Sequence, residues 1–165
     1  MTVRLELGAG ITLELDQRIA RRALDQLTGQ LETTRPEDPT RLLDDHPMWA
    51  RSSGGAGHDG NSWTEDDEAL AEAFYRSVSG KGRLFFDILL DRPGQLITSD
   101  EIVETSGGVL TSSRSVAGAI KGLYVAHKES DRIYPFNWWE GQPTRYAVRP
   151  SVAELFNKAR AKGDL

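Results

Sequence analysis

The chain has no cysteine. That excludes disulfides, thiol nucleophiles and cysteine-ligated metals, and it makes the cytoplasm the expected location. Long apolar runs are also missing. None approaches the roughly 20 residues needed to cross a bilayer, so no membrane partner is expected. The opening residues Thr2, Val3 and Arg4 lead into an apolar–polar alternation. No basic region precedes an apolar block there, so no secretory signal is expected. A positive balance is lacking too: 20 Lys+Arg face 25 Asp+Glu, a net charge of −5. The deficit is uneven. Residues 1–78 hold 8 basic against 15 acidic side chains, whereas residues 79–165 hold 12 against 10. Contact with nucleic acid depends on local positive stripes more than on total charge, so the second half stays eligible for it.

What is present is patterned. A chain of 165 residues is long enough for one good core and a small appendage. Val3, Leu5 and Leu7, then Ile11, Leu13 and Leu15, recur with period two around Gly8-Ala9-Gly10 and predict a β-hairpin. Asp16 can cap a helix from about Gln17 to Leu31 with an apolar stripe that includes Ile19, Leu24 and Leu27. This ββα unit, residues 1–32, is too small to stand alone and is expected to dock or to form a homodimer. Residues 33–62 are rich in Pro, Gly, Ser and Asp and read as a flexible linker, in which Leu42, Leu43, Met48 and Trp49 could dock as one short turn or helix.

Residues 63–165 read as a second domain. Thr64 and Asp67 make a capping-box-like start to a helix, broken at Ser79-Gly80-Lys81-Gly82. A second helix stops at Arg92-Pro93-Gly94. Gln95–Ile97 is a short strand, Thr98 or Ser99 caps a helix to about Ser106 with Glu101 placed to complete the box, and Gly107-Gly108 is a turn. A longer helix then runs from Ser112 to about Lys128. Ile133–Trp138 and Thr144–Val148 pair as a hairpin, and Pro150 opens a last helix. The expected class is α+β.

On the helix after Ser112, Val116, Ala119, Ile120 and Leu123 fall on one side. Arg114, Gly118, Lys121, Val125 and Lys128 fall on another, so the second stripe is basic with small residues between. Ser112, Ser113 and Ser115 crowd the N-terminal turn, where hydroxyls and free N–H groups suit phosphates and base edges. Arg114 is the expected base reader, Lys121 and Lys128 the expected phosphate contacts. Arg132 and Arg145 add charge to the hairpin. Glu140 at its tip would repel phosphate. Alternation sends Phe136 and Trp138 to one side and Trp139 to the other, so Trp138 or Trp139 could anchor a partner protein, or all three could cover the core.

This order of helices, strand and basic hairpin resembles the winged helix-turn-helix superfamily over roughly residues 64–160. The Thr-Ser-Ser-Arg-Ser-Val-Ala-Gly and Tyr-Pro-Phe-Asn-Trp-Trp-Glu-Gly segments are similar to uncharacterised actinobacterial proteins carrying a domain of unknown function. The superfamily resemblance implies duplex DNA as partner, and many members bind protein instead. Asp44-Asp45-His46 and His58-Asp59 sit in the linker without support for metal geometry. Gly54-Gly55-Ala56-Gly57 follows no strand and lacks a phosphate-loop ending. No catalytic residue, metal or cofactor is expected. The expectation is a bacterial DNA-binding regulator, not an enzyme. The alternative is a protein-interaction module that uses the aromatic wing.

Overall fold

A computed structural model describes residues 2–7, 11–16, 41–54 and 60–163. The chain divides into two compact units, Met1–Pro39 and Thr40–Leu165. In the first, β1 (Thr2–Leu7) and β2 (Ile11–Asp16) form an antiparallel hairpin. Its register sets Val3 against Leu15, Leu5 against Leu13 and Leu7 against Ile11, a pairing of apolar with apolar positions that is compatible with the period-two alternation. The expected helix from Gln17 to Leu31, and residues 33–40 and 55–59 of the expected linker, lie outside the described residues.

The second unit is α+β. A 3-10 turn over Glu65–Asp67 leads into α1 (Glu68–Ser77). Thr64 starts it by donating its N–H to the Asp67 carboxylate at 2.8 Å. Then come α2 (Gly80–Leu90), β3 (Ile97–Thr98), α3 (Ser99–Thr105) and α4 (Ser113–Lys121). After them follow α5 (Tyr124–Ser130), β4 (Asn137–Trp139), β5 (Arg145–Ala147) and α6 (Pro150–Gly163). The strands form one antiparallel sheet in the order β3-β5-β4. Capping chemistry places α3 as the sequence indicated: the Glu101 N–H donates to Thr98 Oγ1 at 3.2 Å, and the Thr98 N–H donates to Glu101 Oε2 at 2.7 Å. Gly107 and Gly108 turn the chain with φ of 62° and 88°, a region open to glycine at no steric cost. The core gathers Phe74, Phe85, Phe86, Phe136 and Phe156 with aliphatic residues from α2 to α6. No helix among the described residues is long and apolar enough to cross a membrane.

The structure departs from the expected single helix over Ser112–Lys128. It forms two helices, α4 and α5, separated at Gly122 and Leu123. Gly122 caps α4, and a Cβ there would lie 3.0 Å from the Ala119 carbonyl oxygen and 3.6 Å from Gly82 Cα. The two glycines let α2 and α4 approach closely, and Leu123 is fully buried at the bend. Packing against α2 therefore overrides the continuous amphipathic period.

The segment expected as a linker is packed over residues 41–54. Leu42 and Trp49 are buried and join Trp139 and Ala147 in a second, smaller apolar cluster. Trp49 and Trp139 lie with ring centroids 5.6 Å apart. The Ser53 N–H donates to the Trp138 carbonyl at 2.7 Å, and the Leu42 N–H donates to the Gly94 carbonyl at 2.6 Å. Asp44 accepts from the N–H and hydroxyl of Ser151 at the start of α6, the hydroxyl at 2.7 Å. The strap is held because two large apolar side chains would otherwise be in water, each burial stabilising by roughly 2 kcal/mol.

Candidate nucleic-acid interface

The helix α4, with its cap Ser112, carries five of the eight side chains expected to meet DNA. Its N-terminal turn is closed by its own serines. Ser112 Oγ accepts from the Ser115 N–H at 3.3 Å. Ser115 Oγ accepts from the N–H groups of Thr111 and Ser112 and donates to the Ser112 carbonyl. Ser113 Oγ donates at 3.1 Å to Ser99 Oγ, a buried hydroxyl at the start of α3. The three serines thus cap α4 and tie it to α3.

Val116 and Ala119 of α4 are buried, whereas Arg114, Ala117, Gly118 and Lys121 are exposed. Arg114 and Lys121 are seven residues apart on this outer face, about 10 Å along the axis. Among the described residues neither has an ion-pair or hydrogen-bond partner. The outer face continues onto α5 with Tyr124, Val125 and Lys128, and the Lys128 ammonium lies 5.2 Å from the Tyr124 ring centroid. His127 turns inward, its ring stacked on Tyr134 at 4.0 Å.

The hairpin residues fare differently. Arg132 does not contribute an available cation. It forms a two-pronged ion pair with Asp67, at 2.8 and 3.1 Å, that ties the start of α1 to the start of the hairpin. The Arg132 guanidinium holds the Asp67 carboxyl down at about 2, below its ordinary value of 3.8. Arg145 is exposed, but its register with Trp139 and Thr98 puts it on the sheet face opposite Tyr146. Tyr146 belongs to the core beneath the helices, so Arg145 looks out from the other side.

Neither tryptophan stands free on the wing. Trp139 is buried against Trp49 and Leu42, and its indole N–H donates to the Met48 carbonyl at 3.2 Å. Trp138 is half-buried with its ring over Gly54, where a Cβ would overlap the ring. Alternation does send Trp138 and Trp139 to opposite faces; the strap covers the second face. Nothing in the hairpin's own pattern signals that cover. The only sign is the presence of Leu42 and Trp49 in an otherwise polar stretch.

The electrostatic setting is mixed. Asp100, Glu101 and Glu104 are exposed on α3, and Glu140 is exposed at the hairpin tip. Glu101 is engaged by the backbone and hydroxyl of Thr98, which lower its pKa. Of the carboxylates and imidazoles weighed as ligands, Asp44 caps α6 and His46 Nδ1 accepts from the Met48 N–H at 3.1 Å. His58 and Asp59 lie outside the described residues. Among the described residues, no three His, Asp or Glu side chains gather as a metal site would need.

A family model matches residues 68–163, and that family is described as one of unknown function, DUF6416. The match begins at α1 and leaves out the strap. No curated protein and no solved structure matches the chain.

Proposed function

The chain belongs to the DUF6416 family, whose function is unknown, and we propose that its second unit is a winged helix-turn-helix that binds duplex DNA through α4. The fold reading is supported by the succession α2, β3, α3, α4 and hairpin, with β5 lying between β3 and β4. In that arrangement α4 is the reading helix and the β4–β5 hairpin the wing.

The observation that carries DNA binding is how the cations are paired. On α1 and α6 every basic side chain has an acidic partner. Arg76 pairs with Glu72, Lys158 with Glu154, Lys162 with Glu72 and Arg160 with Asp91. Arg114 and Lys121 are left to solvent on one face of α4. Arg114, in the first turn, reaches toward base edges; Lys121 and Lys128 face phosphates. Asp100 and Glu104 confine the contact to α4 and α5, because phosphate is repelled from α3. The protein acts as a cytoplasmic regulator rather than an enzyme, and self-association through residues 1–32 would let a dimer read two half-sites.

Binding to duplex DNA measured across a salt series tests the reading. Affinity falls as salt rises, and Lys121→Ala lowers the slope of log affinity against log salt by about 1. Arg114→Ala flattens the preference among sequences recovered from a random duplex pool. Undetectable binding at low salt would end the proposal.

A second reading, a protein partner, is favoured by α5 rather than by the wing. Tyr124 is 48% exposed and Val125 62% exposed. A flat selection from the duplex pool, with Val125→Asp abolishing partner capture, would support it.

A further inference from the structure

Gly118 is a glycine that the fold does not require. It lies in the middle of α4, and its φ is not among the positive values that favour glycine. A Cβ built on it would meet nothing within 4 Å. The neighbouring glycines differ. A Cβ on Gly82 would press on the Ala119 carbonyl at 3.1 Å, one on Gly122 on the same oxygen, and Gly107 and Gly108 need their positive φ. In a helix interior glycine is disfavoured about fivefold in equilibrium relative to alanine. At residue 118 that penalty brings no packing in return.

The surroundings indicate what uses the missing side chain. Arg114 precedes Gly118 by four residues and Lys121 follows it by three, so the three share one helix face. Both cations are exposed and lack ion-pair partners among the described residues. Ala117 beside Gly118 is exposed as well. The face has two long charged arms one turn to either side of a point where only backbone stands.

We propose that Gly118 is a positioning residue for DNA: it lets the α4 backbone close on the duplex, so that Arg114 and Lys121 reach a base edge and a phosphate together. This rests on the DNA reading above. A side chain at 118 would hold the helix off the groove and shorten the reach of both arms.

The test is a stability gain coupled to a binding loss. Gly118→Ala and Gly118→Gln should each raise the thermal midpoint, by about 3 °C. Specific duplex binding should fall slightly for Gly118→Ala and at least about tenfold for Gly118→Gln, the scale of one lost base contact. Ala161→Gln adds similar bulk at an exposed position of α6 and should leave binding unchanged. If Gly118→Gln binds as wild type, or Ala161→Gln weakens binding equally, the role of Gly118 is overturned and the DNA reading stands. A lower midpoint for both Gly118 variants would mean that the fold itself uses the glycine, which also overturns the role. If wild type binds no duplex at low salt, the DNA reading falls and this inference with it.

Discussion

Arg114 and Arg132 are both arginines on the basic side of the expected interface, yet they end in different chemistry. Arg132 is held by Asp67 across 65 positions of sequence, so its charge is spent inside the protein. Arg114 keeps its charge for solvent. Asp67 itself has two jobs: by accepting from the Thr64 N–H and hydroxyl it closes the 3-10 turn that leads into α1, and it pairs with Arg132. Because its folded pKa is lowered, its contribution is complete above the unfolded value near 4 and is lost as pH falls toward 2. Asp67→Asn should therefore cost about 2 kcal/mol at neutral pH. Chemical denaturation at a series of pH values should show the gap between wild type and variant shrinking below about pH 4; a gap of constant size would contradict the pairing. The acid at position 67 was legible as a helix-start residue. Its partner was not, because nothing local in the sequence links residues so far apart.

At the scale of elements, caps and turns were readable and packing was not. Thr64 with Asp67, Thr98 with Glu101, and Gly107-Gly108 all occur where side-chain chemistry places them; that Ser115 closes the turn begun at Ser112 was not read from the chain. The split of α4 from α5 was not readable. Residues 112–128 carry an unbroken helical period, and the bend follows from the contact between Gly82 and Gly122. The strap was half-readable. Leu42 and Trp49 stood out in a polar segment, while the surface that receives them comprises Trp139 and Ala147, about 90 to 100 residues further on. Trp49→Ala should destabilise the second unit by about 3 kcal/mol. It should also shift tryptophan emission to the red as Trp139 meets water. An unchanged midpoint would show that the strap contributes little.

For the whole molecule, the balance of charge and the two units set the remaining prediction. A single α4 with three exposed cations on the face that α4 and α5 share offers few phosphate contacts, so a monomer would bind weakly at physiological salt. Association through residues 1–32 would double that surface. Light scattering of the full chain should then give about twice the chain mass of 18.3 kDa. A particle of single-chain mass would remove the dimer from the proposal and leave α4 to act alone.

The sequence by itself determined the order of elements in the second unit apart from the break in the long helix, the Thr64–Asp67 and Thr98–Glu101 caps, the Gly107-Gly108 turn, the β1–β2 hairpin and the basic outer face of α4. These depend on interactions within a few residues, or on a period that any neighbour must respect. Only the tertiary structure decided that Arg132 serves Asp67, that both tryptophans of the hairpin are covered, that Arg145 looks out from the far side of the sheet, and that the long helix bends at Gly122. Each of those depends on which distant surface arrives, and burial of apolar area and pairing of charge across tens of residues leave no period in the chain to read.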